Sequence, residues 1–382
     1  MVPKVQLKEL CKTEITDGTH KTPTYADSGY IFLSSKNVTT GKINWNDVMY
    51  IPEELHNELY ARIKPQKDDI LLAKNGTTGV AAIVDRDEVF DIYVSLALIR
   101  PDKEKVEPRY LLHAVNSEPS KKFFTEHLKG IGVPNLHLTH IRETPIKVPS
   151  IVEQKKIIDV LDKVDELISC RKEQLAKLDE LVKSRFIELF GDPVLNPKGF
   201  AEGCVNEYCK MTQGTQIPMS EQISEYQQGY YRYLYIRDLK YIDSDWIYVQ
   251  DKYDDKKLTE KDLVVVNTGN TAGEIYYGKD GILSNNLFKV SFDTEVLNTT
   301  YMFAYFSSQQ FQSMLWSEMK EGTQPHLGHK IFGSKKLILP PTELQEQFAA
   351  FVKQTDKSKL AVQESLEKLE TLKKSMMQKY FG

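Results

Sequence analysis

A chain of 382 residues, of which 41% are hydrophobic and 10% aromatic, is long enough for two globular domains, and this composition excludes a largely disordered protein. The formal net charge of -4 argues against a broad basic surface that holds nucleic acid unaided, although a few base contacts could still read DNA. No apolar run approaches the roughly 20 residues of a membrane span, so we expect a cytoplasmic protein. The widely spaced cysteines Cys11, Cys170, Cys204 and Cys209 predict free thiols.

The first half of the chain begins with a segment of domain size, residues 1–150. Short apolar runs such as 69–73 (DILLA) and 80–84 (VAAIV) have the length and composition of strands, and residues 110–128 have the pattern of a helix. The polar loop 74–79 (KNGTTG) lies between those two runs. This mixture of strands and helices predicts an α+β domain.

A long helix is predicted next, at residues 151–191. Alternating steps of four and three residues from Ile157 reach mostly apolar side chains, a pattern that is typical of a coiled-coil seam. The Gly and Pro of GDP at 191–193 end the helix. At about 1.5 Å per residue, about 40 residues would form a rod of roughly 60 Å.

The second half of the chain repeats this order. A second domain is predicted at 192–340, with a helix at 301–319, and a second long helix follows at 341–382. The segment KLDELVKSRFIELFG at 177–191 returns as KLETLKKSMMQKYFG at 368–382, which is 191 positions later. This period predicts a duplication of half the chain.

We therefore predict an α+β fold in which two similar domains are separated by two long antiparallel coiled-coil helices, with an internal pseudo-two-fold repeat. The apolar positions of the two helices define the expected seam between them. The seam residues are Ile157, Leu161, Val164, Ile168, Leu175, Leu178, Val182, Leu189, Phe348, Val352, Val362, Leu366, Leu369, Met376 and Tyr380.

This organisation resembles that of the specificity subunits of type I restriction-modification enzymes. The resemblance rests on a set of segments and on the helix endings LFG and YFG. The segments are ITDGTHKTP at 15–23, KDDILLAKNGTTG at 67–79, VPSIVEQKKII at 148–158 and PPTELQEQF at 340–348. The resemblance covers essentially the whole chain.

The resemblance implies that residues 1–150 and 192–340 are target-recognition domains, each of which reads one half of an asymmetric, bipartite site in double-stranded DNA. It also implies that the helices at 151–191 and 341–382 set the spacing of the two halves and bind two copies of the modification (adenine methyltransferase) subunit. Restriction (motor nuclease) subunits would join that core. The chain itself would be a non-catalytic subunit without a cofactor.

Polar loops in both domains are candidates for DNA contact, because they offer backbone amides, hydroxyls and cations to phosphate. A turn whose Gly and Asn accept a positive φ explains loops 74–79 and 267–273 equally well. Segment 212–218 (TQGTQIP) looks like the counterpart of 16–23, although it lacks the residues DGTH. The candidate DNA-binding residues are Thr16, Asp17, Gly18, Thr19, His20, Lys21, Lys74, Asn75, Gly76, Thr77, Thr78, Asn267, Thr268, Gly269, Asn270 and Thr271.

The sequence shows no pattern for a metal, nucleotide or catalytic site. The His pairs of HLTH (137–140) and HLGH (326–329) are offset by 189 rather than 191 positions, so we expect them not to coincide. GTQPHLGHK (322–330) lacks the spacing of a P-loop, and no amino-methyltransferase motif is present. The alternative function is a structural scaffold of two globular modules and a coiled coil that binds only proteins. A third, an enzyme acting alone, is disfavoured by the missing motifs.

Overall fold

A computed structural model describes residues 2–128, 134–241, 245–319 and 325–382. The chain forms two compact units. The first unit contains Met1–Lys172 and Glu364–Gly382, and the second unit contains Glu173–Gln363. Each unit therefore combines one globular domain with segments of both long helices. Among the described residues, no helix has the length and the apolar character that crossing a membrane requires.

The first half of the chain folds into nine strands and five α-helices among the described residues. Their bounds are β1 (Lys4–Gln6), β2 (Thr16–Asp17), β3 (Tyr30–Leu33), β4 (Met49–Ile51), α1 (Glu53–Arg62), β5 (Ile70–Ala73), β6 (Ala81–Ile83), β7 (Phe90–Ile92), β8 (Leu96–Ile99), α2 (Pro108–Val115), α3 (Glu118–Glu126), α4 (Leu138–Glu143), β9 (Pro145–Lys147) and α5 (Ile151–Phe190).

The second half begins with strand β10 and ends with helix α11. The bounds are β10 (Ala201–Cys204), α6 (Val205–Tyr208), β11 (Cys209–Gln213), β12 (Tyr230–Leu234), α7 (Ile236–Lys240), β13 (Ile247–Gln250), β14 (Lys257–Leu258), β15 (Leu263–Val266), β16 (Ile275–Tyr277), β17 (Gly281–Leu283), β18 (Leu287–Phe292), α8 (Thr299–Ser307), α9 (Gln309–Glu318), α10 (His329–Gly333), β19 (Lys336–Leu339) and α11 (Thr342–Phe381).

The sheets of the two units share one topology. The main sheet has the order β2-β8-β5-β6 in the first unit and β11-β18-β15-β16 in the second unit. A smaller sheet, β4-β3-β7, corresponds to β13-β12-β17-β14, and the pairs β3–β7 and β12–β17 are both parallel. A two-stranded sheet, β1-β9 or β10-β19, completes each unit. The repeat in the sequence is therefore a repeat of the fold.

Strands β5 and β15 are buried on both faces. Successive side chains of a strand point to opposite sides of the sheet, so each of these strands contributes to two apolar cores. Ile70 and Leu72 of β5 belong to the apolar core that α2 covers, whereas Leu71 and Ala73 belong to a second core beneath the smaller sheet. Strand β15 divides its four residues between two cores in the same way. This double burial explains the continuous apolar runs in the sequence.

Helices α5 and α11 run antiparallel within each unit. In the first unit, Lys373 lies 2.5 Å from Asp165 and Glu370 lies 3.0 Å from Lys172, so that the numbers rise on one helix as they fall on the other. In the second unit, Lys359 lies 2.7 Å from Asp179. Each of the predicted seam residues is buried or half-buried. The predicted fold class, with two similar α+β domains and two long helices, is confirmed.

The N-terminal turn of each long helix is fixed to a domain by one glutamine. The Gln154 side chain accepts a hydrogen bond from the Glu107 N–H at 2.8 Å and donates to the carbonyl oxygens of Lys105 and Pro149. Gln345, which is 191 positions later, makes the same three bonds to Asn298, Val296 and Pro340. Both glutamines are buried, and buried polar groups that are fully hydrogen-bonded fix a unique geometry.

The C-terminal turn of each long helix is fixed by one phenylalanine. Phe381 of α11 packs on Tyr110 in the core of the first unit, with ring centroids 5.3 Å apart. Phe190 of α5 packs on Tyr301 in the core of the second unit, at 4.8 Å. The repeated endings LFG and YFG thus have the same structural role, because each inserts an aromatic ring into a core that the other helix enters with its first turns.

Phe381→Ala should destabilise the first unit selectively. The side chain is 4% exposed, and truncation of a buried Phe costs about 3–5 kcal/mol of unfolding free energy. Hydrogen exchange measured by mass spectrometry should show faster exchange in β5, with β15 unchanged. The control is Leu372→Ala on the same helix, because Leu372 is 43% exposed. Equal loss of protection in both strands would contradict the separate cores.

Candidate nucleic-acid interface

The segment that contains Asp17 to Lys21 is held against the end of strand β7 in the first unit. The Thr19 N–H donates to the Ile92 carbonyl at 3.2 Å, and Thr19 forms an isolated parallel bridge with Tyr93. A Cβ atom at Gly18 would lie 1.9 Å from the Ile92 oxygen, so only glycine fits this approach. The segment therefore has a fixed backbone and presents the side chains that follow it.

The second unit builds the same frame from different residues. Thr215 forms an isolated parallel bridge with Ser284, and its N–H donates to the Leu283 carbonyl at 2.9 Å. A Cβ atom at Gly214 would lie 2.0 Å from the Ser284 oxygen. Segment 212–218 is therefore the structural counterpart of 16–23, as the sequence predicts, although the residues DGTH are missing.

Loops 74–79 and 267–273 are tight turns between neighbouring strands of the main sheets. The Gly79 and Gly273 N–H groups donate to the carbonyls of Ala73 and Val266, each at 2.8 Å. Both glycines have positive φ, at 85° and 96°. The turn thus explains the glycines, and it leaves the side chains at the tips of the loops to be explained.

A third segment, which was not among the residues predicted from the sequence, pairs with each of these loops. The Leu136 N–H donates to the Lys74 carbonyl at 2.8 Å, and the Leu327 N–H donates to the Asn267 carbonyl at the same distance. Asn75 forms an isolated antiparallel bridge with Asn135. The signal was present in the sequence, because residues 130–138 and 321–329 align in the repeat.

Lys74 is not available to DNA phosphate, which corrects the expectation from the sequence. Its Nζ lies 2.7 Å from Asp17 Oδ2, and the two side chains are only 7% and 8% exposed. His20 Nε2 lies 3.3 Å from the other carboxylate oxygen, and Arg62 donates to the Asp17 carbonyl. Two buried charges of opposite sign hold each other. Lys74 therefore fixes the loop, and Asp17 is its internal counterion.

The second unit replaces this ion pair by neutral amides. Asn267 stands in the position of Lys74, and its Nδ2 donates to the Asn285 carbonyl at 3.4 Å. The Gln213 Nε2 donates to the same carbonyl at 2.6 Å. Asn267 is buried. The same junction is thus closed by charge in one unit and by amide hydrogen bonds in the other.

The candidate residues differ in how far they reach the surface. The exposed ones are His20, Lys21, Gly76, Thr77 and Asn270. The half-buried ones are Thr16, Asn75, Thr78, Thr268, Gly269 and Thr271. The buried ones are Asp17, Gly18, Thr19, Lys74 and Asn267. The exposed and half-buried residues offer hydroxyls, amides and backbone N–H groups, which are the groups that bind phosphate oxygens and base edges.

The His and Cys residues of the described ranges do not form a metal site. In the described ranges, no group of three or more His, Cys, Asp and Glu side chains could hold a metal ion. His326 occupies the position of Asn135, so the two His pairs do not coincide, as the sequence predicts. All four cysteines are free, and burial raises the pKa of Cys11 and of Cys209 to about 12, which keeps both as thiols.

Lys74→Asn should destabilise the protein, whereas the double change Asp17→Gln with Lys74→Asn should recover most of the loss. The single change leaves Asp17 buried without its cation, which costs about 3–5 kcal/mol. The double change installs the residue types that close this junction in the second unit. Chemical denaturation measures both values.

The matched control is Lys103→Ala, because the ion pair between Lys103 and Asp68 is largely exposed and should contribute little. A double variant as unstable as Lys74→Asn would contradict the pairing of Lys74 with Asp17.

Comparison with known proteins identifies the family. The sequence matches the family described as "Type I restriction modification DNA specificity domain" at residues 2–180 and again at 197–373. The MjaVIII specificity subunit of Methanocaldococcus jannaschii is 34% identical over 162 residues, which are 42% of this chain and 37% of that protein. The chain thus aligns with less than half the length of this relative. The MjaIX specificity subunit of the same organism is 24% identical over 79% of this chain and 74% of its own.

Solved structures show the same fold at low sequence identity. The S subunit of a type I restriction-modification system from M. genitalium matches with a TM-score of 0.60 and 14% identity, covering 100% of this chain and 96% of that chain. A chain from a study of assembly and conformational transition of the type I system matches with a TM-score of 0.61 and 18% identity, over 100% and 98%. The predicted assignment to specificity subunits, which are non-catalytic components, agrees with these matches. The chain belongs to the type I restriction-modification DNA specificity family.

Proposed function

We propose that this chain is the subunit that gives a type I restriction-modification complex its DNA sequence specificity. In this proposal, each unit reads one block of an asymmetric, bipartite site in double-stranded DNA. The chain positions two copies of an adenine-N6 methyltransferase subunit, together with restriction subunits, in the cytoplasm. Its contribution to the reaction is binding and orientation, and the methyl transfer takes place on the partner.

The observation that carries the proposal is one frame with two sets of side chains. Gly18 and Gly214 occupy the same close approach to a strand, and Gln154 and Gln345 make the same three hydrogen bonds. The loops on this frame nevertheless carry different residues, with KNGTTG at 74–79 against NTGNTAG at 267–273. Two equivalent supports with unequal reading surfaces are suited to an asymmetric sequence in two blocks.

The charge distribution favours DNA binding as part of a complex. The net charge of the chain is -4, and Lys74 is held in an internal ion pair. Affinity for DNA comes mainly from cations that neutralise phosphates, and this chain has few to spare in its candidate loops. We therefore expect weak binding by the chain alone and tight binding once methyltransferase subunits contribute basic surface.

The long helices supply the second part of the proposed mechanism. Each helix has 40 residues and is fixed at its first turn by a buried Gln and at its last turn by a buried Phe. In the proposed function the helix pair therefore sets the number of base pairs between the two blocks, and its outer surface binds the methyltransferase copies.

Sequencing that detects N6-methyladenine should reveal a motif that depends on this gene. DNA is compared from cells with and without the gene, while the methyltransferase partner is expressed at a constant level. The expected result is methylation at two defined blocks separated by a fixed gap, because one chain reads both. Unchanged methylation would reject the proposed function and leave a scaffold that binds only proteins.

Exchange of residues 1–150 for those of another family member should change one block and leave the other intact. The donor should carry an aromatic residue at the position of Tyr110, because Phe381 of this chain must still pack there. The readout is again the methylated motif. The reciprocal exchange of 192–340 is the control, and it should change only the other block. A change in both blocks after one exchange would contradict independent reading.

A further inference from the structure

In each unit, one residue of the loop forms an isolated β-bridge with a residue of the third segment, and the side chains at these two positions differ between the units. In the first unit, Asn75 on the loop forms an antiparallel bridge with Asn135, and in the second unit Thr268 forms the same bridge with His326. Asn135 and His326 are 191 positions apart, in register with the repeat. The backbone pairing is thus the same in both units, whereas both side chains of the pair differ between them.

These side chains are not needed to hold the backbone. In each unit the bridge is closed by a main-chain hydrogen bond of 2.8 Å, from Leu136 N–H to the Lys74 carbonyl or from Leu327 N–H to the Asn267 carbonyl. Gly79 and Gly273 close the turns next to it through their own N–H groups. The bridge positions can therefore carry different side chains without a change in the frame.

The side-chain oxygens of the asparagine pair in the first unit have no hydrogen-bond partner among the described residues. Asn75 Oδ1 and Asn135 Oδ1 are both buried. A buried acceptor without a donor is unfavourable, so both amides gain from a ligand that supplies one. Asn75 and Asn135 are half-buried as whole residues, and Gly76 and Thr77, which follow Asn75 on the loop, are exposed.

The chemistry of the carboxamide side chain indicates which DNA base the asparagine pair would bind. A carboxamide carries a donor and an acceptor side by side, and this pattern matches the N7 acceptor and the N6 amino donor of adenine in the major groove. A half-turn of one of the two amides exchanges its nitrogen and oxygen in place, so the pair can turn one donor and one acceptor outward without repacking. Adenine is therefore the base that fits the asparagine pair.

In the second unit, the side chains of Thr268 and His326 belong to a chain of hydrogen bonds. The Thr268 hydroxyl donates its only hydrogen to Asn267 Oδ1 at 3.0 Å. Toward His326 Nδ1, at 3.2 Å, the same hydroxyl oxygen must then accept, so Nδ1 carries the proton. In the neutral imidazole this leaves Nε2 as an acceptor. In the major groove, an acceptor at this position reads a base that presents an exocyclic amino group there, which is adenine or cytosine.

We propose that the two bridged pairs, Asn75 with Asn135 and Thr268 with His326, are specificity-determining residues of the two DNA blocks. The first pair reads adenine, and the second pair reads a base with an exocyclic amino group. This inference rests on the proposed function, because it names the residues through which each unit would read its block. It adds Asn135 and His326, which were not among the candidate DNA-binding residues predicted from the sequence.

The test uses the full chain in complex with its methyltransferase partner. Duplexes carry the motif obtained from the methylation map, and each position of both blocks is changed in turn. Competition binding then gives the discrimination at every position. For Asn75→Ala and Asn135→Ala, discrimination at one adenine of one block should fall about 5- to 150-fold, the range for a bidentate amide–base contact. The other block should keep its values.

Asn57→Ala is the matched control, because Asn57 is exposed on α1. It should leave discrimination unchanged at every position. The double change Asn75→Thr with Asn135→His guards against misfolding, since the second unit shows that this frame accepts those residue types. It should lose the adenine preference while the complex still assembles.

The reciprocal change is a gain that an unfolded variant cannot imitate. Thr268→Asn with His326→Asn should make one position of the second block discriminate adenine from cytosine, which a lone acceptor cannot do. Unchanged discrimination in all these variants, with a motif present for the unaltered chain, would overturn the inference and leave the proposed function standing. The absence of any motif for the unaltered chain would overturn both.

Discussion

The structure depends on the way in which each long helix is fixed at both ends. A buried glutamine bonds the first turn to one domain, and a buried phenylalanine fills the core of the other unit with the last turn. The first unit is built from two separate stretches of sequence, because the core around Tyr110 needs Phe381 from the end of α11. The second unit, Glu173–Gln363, is contiguous, and its core around Tyr301 needs Phe190 from the end of α5. The first and last turns of each long helix are therefore parts of the domain cores. The middle turns of the two helices pack against each other.

This arrangement separates the residues that hold the fold from those that differ between the units. The hydrogen bonds of Gln154 recur at Gln345, and the bond from Tyr110 to the Lys147 carbonyl recurs from Tyr301 to the Ile338 carbonyl. The buried junction behind the loops is closed in two ways, by an ion pair or by amides. A frame that tolerates both solutions is fixed mainly by its backbone, so the side chains on it can change without loss of the fold.

The long helices and the repeat could be predicted from the sequence because their signal is periodic. The apolar spacing of the helices and the repeat offset of 191 residues can both be recognised without any knowledge of tertiary contacts. The fate of Lys74 could not be predicted, because nothing local shows that its side chain turns inward to Asp17. The pairing of 135 with 75 is likewise a contact between residues distant in sequence. Its only trace was the alignment of the segments around 135 and 326.

In the proposed function, a duplicated fold with backbone-fixed loops allows one chain to acquire two specificities. The candidate loops of each unit are carried by a domain whose core contains one aromatic ring from the last turn of a long helix, Phe381 or Phe190. A change in the loops of one domain therefore leaves the other domain, and both helix anchors, untouched. The requirement that remains is narrow: glycine at 18 and 214, where any Cβ would collide with a strand, and an acceptable pair at each buried junction. Within those limits, the side chains at the loop tips are free to differ between the units, and in the proposed function these differences follow the DNA sequence that is read.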